Sequence, residues 1–276
     1  MTLPPDFIFT QNNLQDYADC PRRFELRHLL HLEWPAPQTE PIIEHEHRMQ
    51  QGERFHRMVQ QYFLDLPVEI LSSQTMESDL AAWWDAFLTD PLIRDLPANR
   101  QPELTLSMPF RGWRLLCKLD LLAIHPGGRF TILDWKTSSR VSPRPVLAAR
   151  WQTRLYPFIL KNAANHLNQG QPVQADQIEM VYWFAEAPTQ PERFPFSTEQ
   201  SSRVEELLNR TLAEIEATAS GRFMLTTDER RCAFCIYRSL CERGDLPGNL
   251  ADSDSDFEPP DTTTGLDLDQ IGEILL

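Results

Sequence analysis

Apolar residues in the N-terminal third of the chain recur with the spacing of amphipathic α-helices. They predict helices over residues 13–30, 43–64 and about 76–88, with a proline-rich connection over 34–41. The apolar residues of the second helix are spaced at i, i+4, i+7 and i+8: Phe55, Val59, Tyr62 and Phe63. The chain is therefore expected to begin with packed helices.

From residue 104 onward, the period of the pattern changes to that of β-strands. Segments 104–110, 113–124 and 129–135 alternate or run apolar, and the His-Pro-Gly-Gly sequence at 125–128 predicts a turn between the last two. The remaining predicted elements are a helix over 145–167, a strand over 178–184 and a helix over 198–220 that ends at Gly221. This order of helices and strands predicts an α/β fold.

Composition limits the partners that the 276-residue chain can bind through bulk charge. Its 40 acidic and 26 basic residues give a formal net charge of −14, which argues against a protein that coats nucleic acid or an anionic membrane. No apolar run approaches the roughly 18 residues of a membrane span, and residues 1–10 lack the pattern of a signal peptide. We therefore expect a soluble, cytoplasmic protein without membrane contact.

The acidic residues are concentrated at the C-terminal end. Residues 245–276 contain nine acidic residues and no Lys or Arg, so the formal charge of residues 1–244 is only −5. The same segment is rich in Ser, Thr, Gly and Pro, a composition typical of disordered chain. We expect a folded domain over 1–244 and an acidic tail over 245–276, which is either solvated or a partner-binding segment.

Charged residues interrupt the otherwise apolar strands at three positions. Asp120 lies within the second predicted strand, and Asp134 and Lys136 end the third. Because successive side chains alternate across a strand, Asp134 and Lys136 lie on one face, after Phe130 and Ile132. Charges at the edge of a buried layer are costly unless they pair with each other, a metal or a ligand. The pattern fits either a structural ion pair or a catalytic site.

The helices before and after these strands contribute further polar residues. His56 lies on the preceding helix, and Gln152 and Tyr156 are one turn apart on the following one. Taken singly, each of these residues is typical of helix packing. Together with the two strand acids and the lysine, they resemble the PD-(D/E)XK nuclease superfamily. The match is closest to its RecB-type branch, whose relatives include the nuclease domains of helicase–nuclease complexes and the CRISPR-adaptation exonucleases.

The resemblance implies both a fold and a metal site. The fold is a restriction-endonuclease-like core, in which a central mixed sheet is flanked by helices in the order αβββαβ, with added N-terminal helices and a C-terminal cysteine clasp. The metal site would hold Mg²⁺ or Mn²⁺ through the side chains of His56, Asp120 and Asp134 and the backbone carbonyl of Trp135. Hard oxygen ligands suit these ions, which can lower the pKa of a water and hold a phosphate in line.

The resemblance also assigns roles to the remaining polar residues. Lys136 would orient or deprotonate the attacking water, and Gln152 and Tyr156 would steady the site and the substrate. One position departs from the pattern. RecB-type relatives usually have Gly three residues before the first acid, whereas this chain has Cys117, whose side chain can crowd the backbone beside the metal or substrate.

Five cysteines, an odd number, indicate metal or redox use rather than a disulfide scaffold. Cys232, Cys235 and Cys241 lie close together in sequence. A tetrahedral or cubane metal site needs a fourth ligand, for which Cys20 and Cys117 are the candidates. A four-cysteine zinc site and unrelated buried cysteines remain as alternatives.

The sequence Tyr-x-x-Cys-Pro-x-x-Phe around Cys20 resembles the N-terminal motif of AddB-type and CRISPR-adaptation nucleases. This resemblance implies that Cys20 joins the C-terminal trio around a structural 4Fe–4S cluster. Four arginines flank these cysteines in sequence and are predicted either to contact DNA phosphates or to be simply solvated: Arg22, Arg23, Arg231 and Arg238.

The function implied is that of a metal-dependent deoxyribonuclease. It would act as an exonuclease on single-stranded or free DNA ends in repair, recombination or defence. The chain has no Walker-type phosphate-binding loop, so any helicase partner would be a separate polypeptide. The alternative is a DNA-binding or assembly subunit of a helicase–nuclease-type complex, in which Cys117 has weakened catalysis.

Overall fold

The computed structural model describes residues 3–33, 40–75, 78–219, 221–233 and 235–244. The acidic segment 245–276 and most of the proline-rich connection lie outside these residues, so what was predicted for them stays a prediction. Within the described ranges, no helix has both the length and the apolar character needed to cross a lipid bilayer.

A mixed sheet of six strands forms the centre of the described chain. Its strands are β1 (Ile8–Phe9), β2 (Arg100–Phe110), β3 (Trp113–His125), β4 (Arg129–Lys136), β5 (Ile178–Phe184) and β6 (Glu192–Pro195). The order is β1-β3-β4-β5-β6, and β2 pairs with β3 as well. The pairs β1/β3 and β4/β5 are parallel, and the others are antiparallel. The short strands β1 and β6 have too few residues to show a hydrophobic period in the sequence.

Helices lie before, between and after the strands and cover both faces of the sheet. They are α1 (Gln11–Asp19), α2 (Pro21–Phe24), α3 (Glu40–Phe63), α4 (Val68–Ser72), α5 (Ser78–Thr89), α6 (Pro91–Arg94), α7 (Arg144–Ala149), α8 (Trp151–Ala163) and α9 (Thr198–Ala219). The predicted order αβββαβ is confirmed by α3, β2, β3, β4, α8 and β5. The α/β fold with a mixed sheet between helices is therefore the one expected.

Two helices that were predicted to be continuous are broken. The prediction of one helix over 13–30 is wrong because Cys20 is extended (φ −161°, ψ 109°) and a new helix begins at Pro21. Proline lacks an N–H and disfavours a helical residue before it. The helix predicted over 145–167 is likewise divided, by Arg150, whose ψ is 143°.

The two faces of the sheet bury separate hydrophobic clusters. The first lies beneath α1, α8 and α9 and includes Leu14, Leu155 and Leu208. The second lies beneath α3 and α5 and includes Phe55 and Trp84. A buried side chain of this size stabilises the fold by about 1.5–3 kcal/mol, so the sheet is fixed from both sides.

The side chains of β3 change faces at Asp120. Leu119 belongs to the first cluster and Leu121 to the second, although residues two apart on a regular strand share a face. On β2, the residue opposite Asp120 is Glu103, which has a left-handed backbone (φ +54°) and lies between Pro102 and Leu104. Such a conformation is uncommon for a non-glycine residue within a strand. The sheet is therefore locally distorted beside Asp120.

Candidate active site

The end of β4 carries a buried ion pair. Lys136 Nζ lies 2.9 Å from Asp134 Oδ2, and both side chains are less than one tenth exposed. Phe130 and Ile132 precede them in the first hydrophobic cluster. The prediction that Asp134 and Lys136 share a face is confirmed. Two buried charges are tolerated here because each compensates the other.

Gln152 of α8 joins the two members of this ion pair. Its Nε2 donates to Asp134 Oδ1 at 2.5 Å, and its Oε1 accepts from Lys136 Nζ at 2.9 Å. An amide has a donor and an acceptor at fixed separation, so it can satisfy a carboxylate and an ammonium simultaneously. The three side chains form a closed triangle whose geometry is set by a strand and a helix.

Tyr182 is a site residue that the sequence did not reveal. It lies opposite Asp134 in the β4/β5 register, and its hydroxyl donates to Gln152 Oε1 at 3.3 Å. Its ring lies 5.4 Å from Lys136 Nζ, and Thr153 Oγ1 is 2.7 Å from its hydroxyl. The available signal was a tyrosine in a buried strand, where the hydroxyl needs a polar partner.

Tyr156 lies one turn after Gln152 on α8. It is 5% exposed and packs within the first hydrophobic cluster. The structure therefore shows Tyr156 as part of the packing between α8 and the sheet.

Asp120 and His56 approach the triangle from β3 and α3. His56 Nδ1 is 3.4 Å from Asp120 Oδ2, and the same oxygen accepts from the Trp135 N–H at 3.0 Å. Strands β3 and β4 pair only as far as Leu121 opposite Leu133. The Trp135 amide, two residues beyond that last pair, is instead satisfied by the Asp120 side chain.

Gly52 allows α3 to approach the end of β4. A Cβ atom added at Gly52 would lie 2.5 Å from Thr137 Oγ1, well inside van der Waals contact. One turn earlier, Arg48 Nε donates to the Thr137 carbonyl at 3.2 Å. His56 is one turn beyond Gly52, so the close contact at glycine places the imidazole beside Asp120.

The electrostatics of this group favour charged forms. Burial by itself lowers the pKa of His56, but the Asp120 and Asp134 carboxylates outweigh it and raise the pKa to about 9. Burial by itself raises the pKa of Asp120, but the His56 imidazolium, the Trp135 N–H and Lys136 together bring it below the ordinary value. At neutral pH the pair is therefore an imidazolium and a carboxylate, and a metal bound by His56 would have to displace its proton.

The donor atoms present suit a hard divalent ion. Two carboxylates, an imidazole and a backbone carbonyl lie around the end of β4. In octahedral coordination, two neighbouring ligand atoms that are each about 2.1 Å from the metal lie about 3 Å from each other. The 3.4 Å between His56 Nδ1 and Asp120 Oδ2 is close to that value. As they stand, however, no three or more His, Cys, Asp or Glu side chains of the described chain are arranged to hold a metal ion.

The four cysteines named from sequence face a common cavity. Cys20, Cys232, Cys235 and Cys241 line it together with Tyr237. Burial raises the pKa of the Cys232 thiol, and its neighbours Cys235, Cys20 and Cys241 raise it further, to about 11. The neighbouring thiols raise this pKa because the thiolate charges would repel one another. A bound cation removes this repulsion, and the cysteines then bind it as thiolates.

Cys117 lies elsewhere, in the first hydrophobic cluster. It is 2% exposed and paired with Leu106 across β2 and β3. It does not line the cavity of the four cysteines, so the structure groups Cys20 rather than Cys117 with the C-terminal trio.

Two of the flanking arginines form ion pairs with α1 beside this cavity. Arg23 Nε lies 2.8 Å from Asp16 Oδ1, and Arg23 Nη2 lies 2.8 Å from Asp19 Oδ2. Arg231 also pairs with Asp19 and is about half exposed. The Arg23 pairs hold α2 against α1, and the Arg231–Asp19 pair binds the C-terminal segment to α1.

The other two arginines differ in exposure. Arg22 is partly exposed and pairs with Glu25. Arg238 is only 3% exposed, and its Nη1 lies 3.5 Å from the Ala233 carbonyl oxygen. A phosphate at the surface could thus reach Arg22 and Arg231 more readily than Arg238.

Comparison with known proteins identifies the family of this chain. The family model of the PD-(D/E)XK nuclease superfamily matches residues 8–242. A protein of Eubacterium rectale described as a "Putative exonuclease" is 12% identical, with a TM-score of 0.50 over 89% of this chain and 90% of its own. The protein SSO0001 is 12% identical, with a TM-score of 0.40 over 85% of both chains. No curated protein matches by sequence. The chain belongs to the PD-(D/E)XK nuclease superfamily.

Proposed function

We propose that this chain is a metal-dependent deoxyribonuclease that hydrolyses phosphodiester bonds. The observation that carries the proposal is the closed triangle of Asp134, Lys136 and Gln152 beside the His56–Asp120 pair. A structural ion pair would need neither the adjacent second carboxylate nor the imidazole. A metal-dependent nuclease needs cation-binding groups beside the reacting phosphate, and a neighbouring lysine can stabilise the charge that develops there.

The ion would be Mg²⁺ or Mn²⁺, held by His56, Asp120, Asp134 and the backbone carbonyl of Trp135. The residue types fit, because carboxylates and carbonyls are hard ligands. When bound, such an ion would polarise the phosphate and lower the pKa of a water. Each Asp134 oxygen already contacts another side chain, Oδ1 that of Gln152 and Oδ2 that of Lys136, so an ion would share these oxygens with them.

Lys136 is the cation best placed to act on the reacting groups. It is held by Asp134 and Gln152 and lies over the Tyr182 ring, so it has little freedom to reorient. A fixed ammonium can orient an attacking water or stabilise the charge that develops on the phosphate, and only the deprotonated amine could take the proton of that water. Gln152 keeps the lysine in place, and Tyr156 supports the helix that carries Gln152.

The substrate that we propose is DNA with single-stranded or free ends, cut by an exonuclease in repair, recombination or defence. The Eubacterium rectale protein, described as a "Putative exonuclease", shares the fold and supports this choice. Arg22 and Arg231 are the partly exposed arginines that would contact phosphates. A separate helicase or repair protein would supply the strand.

We further propose that Cys20, Cys232, Cys235 and Cys241 hold a structural 4Fe–4S cluster. The shared cavity supports a common metal site, and a four-cysteine zinc site is the alternative. Protein purified without oxygen should be brown and lose its visible absorbance in Cys20→Ala. Stoichiometric zinc in a colourless protein would select the alternative.

The organisation into a domain over 1–244 and an acidic tail over 245–276 is also proposed. The nine acidic residues of the tail would repel a phosphate backbone. Removing residues 246–276 should leave the fold intact and leave DNA affinity unchanged or higher, as measured by fluorescence anisotropy. Weaker binding after truncation would assign the tail a role in substrate capture.

The deciding experiment is a cleavage assay with Mn²⁺ or Mg²⁺ on 5′- and 3′-labelled single- and double-stranded DNA. Cleavage should require the divalent ion and be lost in Asp134→Ala and Lys136→Ala. The exposed Asp176, changed to Asn, is the matched control and should leave the rate unchanged.

The presence of Cys117 favours a second candidate function, that of a subunit that binds DNA without cutting it. Cys117 occupies the position of the usual glycine and is buried against apolar side chains. If that side chain displaces the backbone beside Asp120, the chain would be a DNA-binding or assembly subunit of a helicase–nuclease-type complex. DNA binding without cleavage under every divalent ion, restored to cleavage by Cys117→Gly, would identify this case.

A further inference from the structure

The first turn of α8 takes its cap from a different helix. Arg150, the residue before the helix, makes no side-chain hydrogen bond to the first turn. Instead, the Trp151 N–H donates to Gln15 Oε1 of α1 at 3.1 Å. The first amides of a helix have no partner within it, so this bond satisfies a group that would otherwise need water.

Gln15 is itself held from the other side. Its Nε2 donates to Asp19 Oδ1, one turn later on α1, at 3.0 Å. The Asp19 carboxylate is buried and pairs with both Arg23 and Arg231. Arg231 is the residue immediately before Cys232. The C-terminal cysteine segment is thus joined through Asp19 to the glutamine that caps α8.

The residue after Trp151 is Gln152, which bonds to both Asp134 and Lys136. Polar contacts therefore connect Arg231 through Asp19 and Gln15 to the Trp151 N–H, and the next residue along the chain, Gln152, contacts the ion pair at the end of β4. We propose that Gln15 is a positioning residue, which makes the placement of Gln152 depend on the docked state of the cysteine segment. This proposal rests on the proposed nuclease function.

The chemistry of the side chain explains why a glutamine would be used. Gln15 must accept from a backbone N–H and donate to a carboxylate at the same time, and among side chains of this length only an amide does both. Glutamate can accept from Trp151 but would repel Asp19. When the cysteine segment separates, Asp19 loses Arg231 and is free to turn toward Arg23, and Gln15 loses one of its two anchors. The first turn of α8 then becomes less fixed.

Three variants separate the two halves of the contact. Gln15→Ala removes both bonds, Gln15→Glu keeps the acceptor for Trp151 and removes the donor to Asp19, and Asp19→Asn weakens the ion pair with Arg231. Gln200→Ala is the matched control, an exposed glutamine in the first turn of α9. Circular dichroism and metal analysis establish that each variant is folded and carries the same metal as the wild-type protein.

The first readout is backbone amide exchange at Trp151, which needs no nuclease activity. Exchange should be about tenfold faster in Gln15→Ala and intermediate in Gln15→Glu, which keeps the acceptor for Trp151 but loses the Asp19 anchor. Asp19→Asn should accelerate it in the wild-type background but not in Gln15→Glu. Unchanged exchange in Gln15→Ala would overturn the proposal, even for a chain that proves to have no nuclease activity.

The second readout is the rate of cleavage. Gln15→Ala should lower kcat about threefold to tenfold with KM changed less than about twofold, since misplacement of Gln152 affects the reacting groups more than substrate binding. The effects of Gln15→Ala and Asp19→Asn should be non-additive, because both act on one line of contacts. Additive effects would show that Gln15 acts independently of the cysteine segment and would overturn the coupling.

Discussion

The active-site end of the sheet and the cysteine segment are held together by different means. At the end of β4, the polar side chains project from strands and long helices and bond to one another directly. Residues 221–244, by contrast, contain within their described part only a short 3-10 helix at Glu229–Cys232. Their contacts with the N-terminal segment include the Arg231–Asp19 ion pair, the 3.1 Å hydrogen bond from the Arg22 N–H to the Met224 carbonyl and the 2.8 Å hydrogen bond from Tyr237 to the Leu32 carbonyl.

This difference predicts different responses to perturbation. The site at β4 is embedded in the packed core, so removing Asp134 or Lys136 should abolish the chemistry and also destabilise the fold, because the partner charge stays buried without compensation. The cysteine segment has few buried apolar side chains, of which Phe223 and Tyr237 are two. Its attachment therefore depends on charges and on the metal that we propose for it.

The largest effect is expected from loss of the metal. Cys235→Ala should remove the visible absorbance and lower the free energy of unfolding by about 3 kcal/mol or more, because ligand binding is part of folding in a segment with so little core. Thermal or urea unfolding under anaerobic conditions measures the change. Cys117→Ala, a buried cysteine outside the cavity, is the control and should keep the absorbance. A colourless Cys117→Ala protein would place the ligands elsewhere.

The next largest effect concerns the packing of α3 on β4. Gly52→Ala should lower stability by about 1–3 kcal/mol, since the added methyl would overlap Thr137 Oγ1 and overpack the contact. Cleavage should fall as well, because His56 moves with the helix. The double variant with Thr137→Ala, which removes the overlapping atom, should recover most of both losses. Absence of any recovery would mean that the contact does not fix α3.

The affinity for Mn²⁺ should depend on pH, with an effect smaller than that of Gly52→Ala and larger than that of Tyr182→Phe. With the His56 pKa raised to about 9, binding of Mn²⁺ should strengthen from pH 7 to 9 by up to about tenfold per pH unit, as the competing proton is lost. Isothermal titration measures this slope, which should flatten in His56→Gln. A slope that persists in that variant would point to another titrating group.

In the metal-free protein, raising the pH should weaken the folded state through the same residue, His56. A raised pKa means that protonated His56 stabilises the fold fully below pH 6.5 and that this contribution is lost as the pH rises through about 9. Thermal unfolding of metal-free protein should therefore show falling stability over this range. The fall should be smaller in His56→Gln.

The smallest effect is expected at Tyr182. Tyr182→Phe keeps the ring near Lys136 and removes the hydroxyl that reaches Gln152 and Thr153, so kcat should fall only about threefold to tenfold. Stability should change by about 1 kcal/mol. A loss as large as that of Lys136→Ala would show that the hydroxyl contacts the reacting groups directly.

Much of the fold could be predicted because its signals are local. The strand predicted over 178–184 is Ile178–Phe184, and the helix predicted over 198–220 is Thr198–Ala219. Spacing alone placed Asp134 and Lys136 on one face. Helix breaks at Pro21 and Arg150 were missed, the first despite the proline that signals it.

What escaped prediction depends on contacts between distant segments. Gln15 and Tyr182 have ordinary sequence surroundings, and their importance comes from partners that the fold brings to them. The change of face at Asp120 was equally invisible, because β3 keeps its apolar character on both sides of that residue.

The left-handed backbone at Glu103 has a consequence for how this position tolerates change. Its carboxylate pairs with Lys118, which would suggest that charge is what matters there. In a saturation library selected for folded protein, we expect the opposite ranking: Gly, Asn and Asp should be enriched, while Val and Ile should be depleted whatever the state of Lys118. The position would then be constrained by torsion angle, and a sequence profile of its variants would resemble that of a turn although it lies in the middle of an eleven-residue strand.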